Sequence, residues 1–342
     1  MEESFPAVGS GVFPRLFSVP LVALIFFTGV SDSHARLSAR RRAALINPAS
    51  LKEWKTRLRM EANTMLRGQT ERFSLFIADP ATGFQLAFRP DRRYPAASVM
   101  KLGIMLALYR LAEKKKIRLD KKVRLLTKFK SSVDGSKYSV PPEFYKKCRC
   151  ITYKEYVQKK KKLIPLHILI QDMIQSSSNL ATNNLLAVLS PWKVRRELRR
   201  MKIRRMSVIR GLYDMKAFDI DRHNTLTARA VIRSLIALNN RRYFHSSHRN
   251  RMLRILANTE HRAKIPGHLP ETALVAQKSG NTQDVSHDAS IIYPPDGAGP
   301  YYLVIMTQGY HNDDLLDDRF AQLSRIIYDS IRRMRAQRLG VQ

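Results

Sequence analysis

Hydrophobic residues along this chain follow two different periods, broken by one apolar run with no period at all. That run is LFSVPLVALIFFTGV, residues 16 to 30, preceded by Arg15 and followed by Ser33-His34-Ala35, a small-x-small pattern of the kind signal peptidase cuts. It is shorter than the ~20 apolar residues a spanning helix needs and contains Pro20. Residues 1–35 are therefore read as a signal peptide, with an uncleaved N-terminal anchor as the alternative. Glu2 and Glu3 make the leading segment less positive than usual, and no Cys follows the run to carry a bacterial lipid anchor.

From residue 36 to 69, Trp54, Leu58, Met60 and Leu66 recur at helical spacing among Lys and Arg, predicting an N-terminal helix. RFSLFIADP and FQLAFRP cluster β-formers around Asp79-Pro80-Ala81-Thr82-Gly83, a turn sequence, and read as a hairpin. SVMKLGIMLALYRLAEKKK is a strong helix. Residues 125–163, with DGSKYSVPPEF and the Lys159 to Lys162 run, lose the periodicity and read as a basic, partly irregular insertion. Helices resume with IPLHILIQDMIQ, NLATNNLLAVL, WKVRRELRRMKI, TARAVIRSLIALNN and NRMLRILANT. ALVAQKSG, ASIIY and YYLVIMTQ are β-runs, the last two joined at Pro294-Pro295-Asp296-Gly297, and DRFAQLSRIIYDSIRRMRAQ closes as a helix. There is no alternating βαβ series and no internal repeat. The expected fold is α+β, an antiparallel sheet flanked by helices with an all-helical subdomain, over residues 70–340.

Composition narrows this picture. The 342 residues are 44% hydrophobic and 8% aromatic, which excludes a disordered chain even though 61 Lys+Arg against 28 Asp+Glu leave a net charge of +33. The charge concentrates in Lys114 to Lys116, Lys159 to Lys162, and a series from Arg195 to Arg205. Such runs are usually solvated faces, and they could also attract anionic cell-envelope polymers or lipid headgroups. No helix-turn-helix, zinc-finger or aromatic-interleaved motif supports a nucleic-acid module. Cys148-Arg149-Cys150 would close a strained ring, so free thiols or an intermolecular bond are expected. His245-Ser246-Ser247-His248 reads as a loop, with a metal site a weak alternative.

Three short motifs could carry chemistry. In Ser98-Val99-Met100-Lys101, at the start of a long helix, the i, i+3 spacing puts the Lys101 amine beside the Ser98 hydroxyl, where a neutral amine could take its proton. Alone, Ser98 is as readily a helix cap, and Ser190-Pro191-Trp192-Lys193 repeats the spacing at what reads as an ordinary helix start. Ser177-Ser178-Asn179 offers a proton-relaying hydroxyl and an amide between two helices. Lys278-Ser279-Gly280 ends a strand with a cation, a hydroxyl and a residue permitting close backbone approach.

Together and in this order, Ser-x-x-Lys, Ser-x-Asn and Lys-Ser-Gly resemble the signature of class A β-lactamases and penicillin-binding proteins. The resemblance extends to the flanks YPAASVMKL, SSSNLATNNLL, QKSGNT and HDASIIYPPDG, and spans roughly residues 70–335. It implies Ser98 as acylated nucleophile, Lys101 as its general base or proton relay, and Ser177 as proton shuttle to the leaving nitrogen. Asn179 would bind the substrate amide, and Lys278, Ser279 and Gly280 would form the carboxylate site. The backbone N–H groups of Ser98 and Asn281 would form the oxyanion hole. A β-lactam or D-alanyl cell-wall peptide would be the substrate, with no metal or organic cofactor, for an exported, periplasmic or extracellular monomer. A low-turnover binding homologue is a further alternative.

Two departures bear on activity. Ser178 stands where class A enzymes carry Asp, which puts the anchoring of that loop in question. The stretch RGLYDMKAFDIDRHNTLTAR lacks the glutamate that activates the deacylating water, and the family's alignment puts an apolar residue near Leu212 there. Asp214, Asp219 and Asp221 are the nearest carboxylates. Asp214 ranks first as a substitute, against an equally plain role as a loop-stabilising acceptor.

Overall fold

The β-runs on either side of residues 79–83 pair as expected and sit at the edge of the main sheet. In chain order, this computed structural model, which describes residues 48–65, 72–146, 148–309 and 314–339, contains α1 (Pro48–Met65), β1 (Phe73–Asp79), β2 (Phe84–Phe88) and β3 (Tyr94–Pro95). A 3-10 turn, Ala97–Val99, runs into α2 (Met100–Glu113). Next come β4 (Lys122–Arg124), β5 (Lys128–Lys130), β6 (Lys137–Ser139), α3 (Glu143–Lys146), a π-helical turn (Thr152–Val157) and β7 (Leu163–Pro165). Then follow α4 (Leu166–Ile174), α5 (Asn179–Leu189), α6 (Pro191–Arg200), α7 (Met215–Asp219), β8 (Thr225–Leu226), α8 (Ala228–Leu238) and α9 (Ser246–Ala257). The chain ends with β9 (Leu274–Asn281), β10 (Val285–Tyr293), β11 (Tyr301–Gln308) and α10 (Asp314–Leu339). The signal peptide expected over residues 1–35 lies outside the described residues. Among the described residues no helix is long and apolar enough to cross a membrane.

The fold is α+β. Five antiparallel strands run in the order β2-β1-β11-β10-β9. α1 and α10 cover one face, where Leu58 meets Phe73, Leu75, Leu303, Phe320 and Ile327 in one core, and α8 packs on the other face. Burial on both faces explains why β1 and β11 read as nearly continuous apolar runs rather than as alternation. Against the sheet stands a helical subdomain in which α2, α4, α5 and α6 pack together. α2 is buried almost all round, as an apolar helix at the centre of a bundle must be.

Three local expectations change. Residues 125–163 are anchored rather than loose: Phe129 and Val140 pack on Leu180 of α5. The Asp172 carboxylate on α4 accepts the backbone N–H groups of Ile151 and Thr152 and the Thr152 hydroxyl. Cys148 and Cys150 are bonded to each other instead of being free, and their Cα separation of 5.2 Å lies within the span a disulfide bridges. The His245–His248 segment is a helix start rather than a loop, with both imidazoles turned to the Glu113 carboxylate at 3.4 and 2.6 Å.

A buried ion cluster joins the last helix to the sheet. Arg335 of α10 donates to both oxygens of Asp79 at 2.7 and 3.2 Å, to Asp296 at 3.1 Å, and to the Gly299 carbonyl at 3.0 Å. It thus ties the β1–β2 turn to the β10–β11 turn. Arg335→Ala would strand two buried carboxylates and is expected to cost about 3–5 kcal/mol, read as a lowered urea midpoint; an unchanged midpoint would show that the cluster carries no net stability.

Candidate active site

The site is assembled from three parts of the chain that converge on the first turn of α2. Ser98 lies in the 3-10 turn and remains half-exposed, whereas the Lys101 side chain, one helical turn on, is fully buried. Lys101 Nζ lies 2.9 Å from Ser98 Oγ, 3.1 Å from Ser177 Oγ, 2.6 Å from the Ser177 carbonyl and 2.8 Å from Asn179 Oδ1. Burial first, and the Lys278 charge second, hold its pKa well below the ordinary lysine value. The Ser177 carbonyl and Asn179 Oδ1 can only accept from Nζ, so in the neutral form, which this burial favours, the amine lone pair would face the two hydroxyls. Ala97 and Ser177 adopt φ of +43° and +53°, a region most non-glycine residues avoid, so backbone strain is concentrated at this contact.

Ser177 and Asn179 reach the site because the loop between α4 and α5 is fixed from within. Ser178 caps α5 by accepting the Ala181 N–H, and its own N–H donates to the Asp172 carbonyl. A serine cap thus supplies the anchoring that the loss of an aspartate put in question.

β9 supplies the third part. At Gly280 a Cβ would fall 2.6 Å from Ser98 N and 2.9 Å from Val99 N, so only glycine lets the strand run this close to the nucleophile turn. Lys278 and Ser279 precede it, both buried, and Asn281 follows. Burial pulls the Lys278 pKa down to about 8, with the Asp288 charge opposing the fall. Sequence reasoning missed the groups around this lysine. Asp288, on neighbouring β10, is fully buried, accepts the Ile265 and Ala289 N–H groups, and is pushed up to about 6 by burial. Lys264, from the segment between α9 and β9, hydrogen-bonds Asn281 Oδ1 and Ser286 Oγ and lies 3.4 Å from Asp317. The sequence string HDASIIY shows the aspartate, but only the β9–β10 pairing, with Asp288 opposite Ser279, reveals its place.

Asn183 of α5 holds the backbone of Leu212 at both ends: Nδ2 donates to the Leu212 carbonyl and Oδ1 accepts its N–H, each at 2.8 Å. A Cβ on Gly211 would fall 2.0 Å from the Tyr138 hydroxyl, so this loop also depends on glycine. The following Tyr213 turns its phenol toward Asn179.

Asp214, the carboxylate favoured from the sequence as a replacement base, does not join this cluster. It is buried and accepts the Ser131 hydroxyl at 2.7 Å, the Ser132 N–H at 2.8 Å and the Ser132 hydroxyl at 2.9 Å. Burial works to raise its pKa, and these hydrogen bonds outweigh that and hold it below the usual carboxylate range. Its geometry is that of a tie between two loops. Asp219 and Asp221 are not among the hydrogen-bond partners of Ser98, Lys101 or Ser177 either.

Comparison with known proteins places the chain in a family and a fold. The family described as Beta-lactamase enzyme family matches residues 57–331. The chain belongs to that family. A beta-lactamase of Bacteroides uniformis is 25% identical over 261 residues, covering 73% of this chain and 83% of the relative. Among solved structures, a beta-lactamase from Chitinophaga pinensis superposes with a TM-score of 0.68 at 17% identity, covering 80% of this chain and 99% of that one. PBP-A superposes at 0.66 with 20% identity, and a point mutant of PBP-A, solved as an acyl-enzyme complex with penicillin-G, at 0.67 with 20% identity; each covers 81% of this chain and 97% of the neighbour. The fold is therefore shared with both beta-lactamases and a PBP.

Within this beta-lactamase-family chain the role of Asp214 is testable by stability. Asp214→Asn removes an acceptor from buried donors and is expected to cost about 1–3 kcal/mol at pH 7. Because the folded-state pKa is lowered, the wild-type advantage is present above the unfolded value of 3.8 and is lost as pH falls through the folded one. Urea titrations at pH 7 and at the acid end, run on both proteins, measure it; equal stability at pH 7 would remove the tie.

Proposed function

We propose that the chain opens β-lactam rings through an acyl-enzyme on Ser98. The observation that carries this reading is the buried Lys101 amine, its pKa held well below the ordinary lysine value, 2.9 Å from the half-exposed Ser98 hydroxyl. In the first step Ser98 Oγ attacks the ring carbonyl while Lys101 takes its proton. The backbone N–H groups of Ser98 and Asn281 stabilise the oxyanion of the tetrahedral intermediate. Collapse breaks the ring C–N bond, the Ser177 hydroxyl gives its proton to the leaving nitrogen and takes one from Lys101, 3.1 Å away, and a Ser98 ester and a neutral Lys101 remain. Asn179 orients the substrate amide, and charged Lys278 with the Ser279 hydroxyl receives the substrate carboxylate. The apolar run near the N-terminus supports export, so that the enzyme would meet its substrate in the cell envelope.

Hydrolysis of the ester needs a base for water, and the residue whose backbone Asn183 clamps is leucine. The acyl-enzyme is therefore long-lived. That same feature favours a second reading, in which D-alanyl cell-wall peptides are the physiological acyl donors and β-lactams are trapped.

Intact-mass spectrometry with penicillin-G tests both. Wild type is expected to gain the penicillin mass and hold it, Ser98→Ala to gain nothing, and Leu212→Glu to release it about 10²–10⁴-fold faster, the usual range for a positioned general base. Absence of a wild-type adduct, together with no accumulation of opened penicillin, would overturn the proposal. Rapid wild-type turnover would locate the deacylating base elsewhere.

The pH profile gives an independent check. Lys278 carries its charge below about pH 8 and loses it above, so acylation efficiency with a carboxylate-bearing penicillin should fall on the alkaline side of 8. Lys278→Arg should move that limb upward by more than one pH unit, since a guanidinium stays charged. An unmoved limb would assign it to another group.

A further inference from the structure

A dense positive surface on and beside α6 shares no lining residue with the residues assigned to catalysis. α6 carries Arg195, Arg196, Arg199 and Arg200, so two like-charged pairs occupy i, i+4 positions, a spacing that destabilises a helix. Two adjoining depressions, about 320 and 490 Å3, share Arg195 and Arg199 as a common wall. Arg196, Arg200 and Trp192 complete the smaller one, and Arg93, Arg204 and Arg205 line the larger. No acidic side chain lines either.

The nearby carboxylates are already taken. Buried Glu197 pairs with Lys114 and Arg200, each at 2.6 Å, and Asp91 pairs with Arg229 at 2.8 Å and Arg205 at 3.4 Å. Among the described residues no carboxylate forms an ion pair with Arg93, Arg195, Arg199 or Arg204. The cations lining this groove are all arginine, whereas the runs Lys114 to Lys116 and Lys159 to Lys162 are all lysine. That difference matters chemically. A guanidinium presents a planar fork that binds phosphate oxygens in pairs and sheds its hydration readily, while an ammonium is a strongly hydrated point charge.

From this groove we infer a binding site for a linear phosphodiester polymer, held by its backbone phosphates. A continuous, concave series of arginines fits a chain lying along it better than a flat layer of lipid headgroups. One face of the Trp192 ring is covered by Arg196, whose guanidinium sits 4.5 Å from the ring centroid, and the groove holds no further aromatic for stacking bases. A base-free polymer such as poly(glycerol phosphate) is the occupant that matches. The inference does not depend on the acyl-enzyme reading.

The test is fluorescence anisotropy of a labelled poly(glycerol phosphate) oligomer titrated with the full chain at several salt concentrations. Arg195→Ala/Arg199→Ala is expected to weaken binding at least tenfold and to lower the salt slope by about 1.4, two phosphate contacts at about 0.7 each. Arg195→Lys/Arg199→Lys, which keeps the charge, should still weaken it several-fold. Lys161→Ala/Lys162→Ala removes the same charge elsewhere and should change it less than twofold. Equal weakening by the groove and lysine variants would reduce the effect to diffuse charge and overturn the proposal. So would tighter binding to vesicles rich in anionic lipid, or to a single-stranded oligonucleotide with the same number of phosphates, and so would no binding of the polymer by wild type. Far-UV circular dichroism and a urea midpoint, measured in parallel, report whether each variant is folded, so failure of the acyl-enzyme reading does not touch this one.

Discussion

Burying a lysine amine without a carboxylate partner is expensive, and much of the structure around Ser98 exists to make it tolerable. An ammonium at the Lys101 position would lose most of its hydration, so burial drives its pKa well down. In either protonation state the amine needs acceptors. They come from the α4–α5 loop, whose Ser177 carbonyl and Asn179 amide oxygen lie within 2.8 Å of Nζ. That requirement fixes the loop against α2, and the loop in turn rests on the Ser178 cap and the Asp172 carbonyl. Lys278, approaching on β9, lowers the Lys101 pKa further by repulsion. The sheet, the helical subdomain and the Ser98 turn therefore meet around a lysine from which water is excluded.

Much of this was legible in the sequence because it is local. The hairpin around residues 79–83, the long α2 and the three motifs each announce themselves within a dozen residues. The features that were not legible depend on pairing across the fold. Asp288 and Lys264 acquire meaning only when β10 lies beside β9 and the segment before β9 folds back onto Asn281 and Ser286. Asp214 misled for the same reason in reverse. Its place in the chain is close to where a catalytic carboxylate would sit, but Ser131 and Ser132, more than eighty residues earlier, occupy its oxygens. The Cys148–Cys150 bond and the helical start at His245 are likewise settled by backbone geometry that spacing alone does not reveal.

The loop around Leu212 is positioned independently of the side chain it carries. Asn183 grips the backbone N–H and carbonyl of residue 212, contacts that any side chain at that position would allow. The clamp therefore positions the residue without specifying its chemistry, and an apolar side chain there offers no proton acceptor. The cluster at Ser98, Lys101 and Ser177 is different: it depends on contacts from separate parts of the chain and cannot be altered so locally.

The two kinds of cation in this protein follow from the same electrostatic reasoning. Lys101, Lys264 and Lys278 are buried, and burial lowers the pKa of each, so their charge is conditional on surroundings and on pH. Such groups suit a site where a proton must move or where one carboxylate is to be distinguished from water. The arginines of α6 face solvent, and a guanidinium does not act as a base. Glu197 beneath them pairs with Arg200 and Arg196, whereas among the described residues no carboxylate offsets the repulsion between Arg195 and Arg199. A surface of that kind favours an anion, which separates it in chemistry, as well as in position, from the buried lysines beside Ser98.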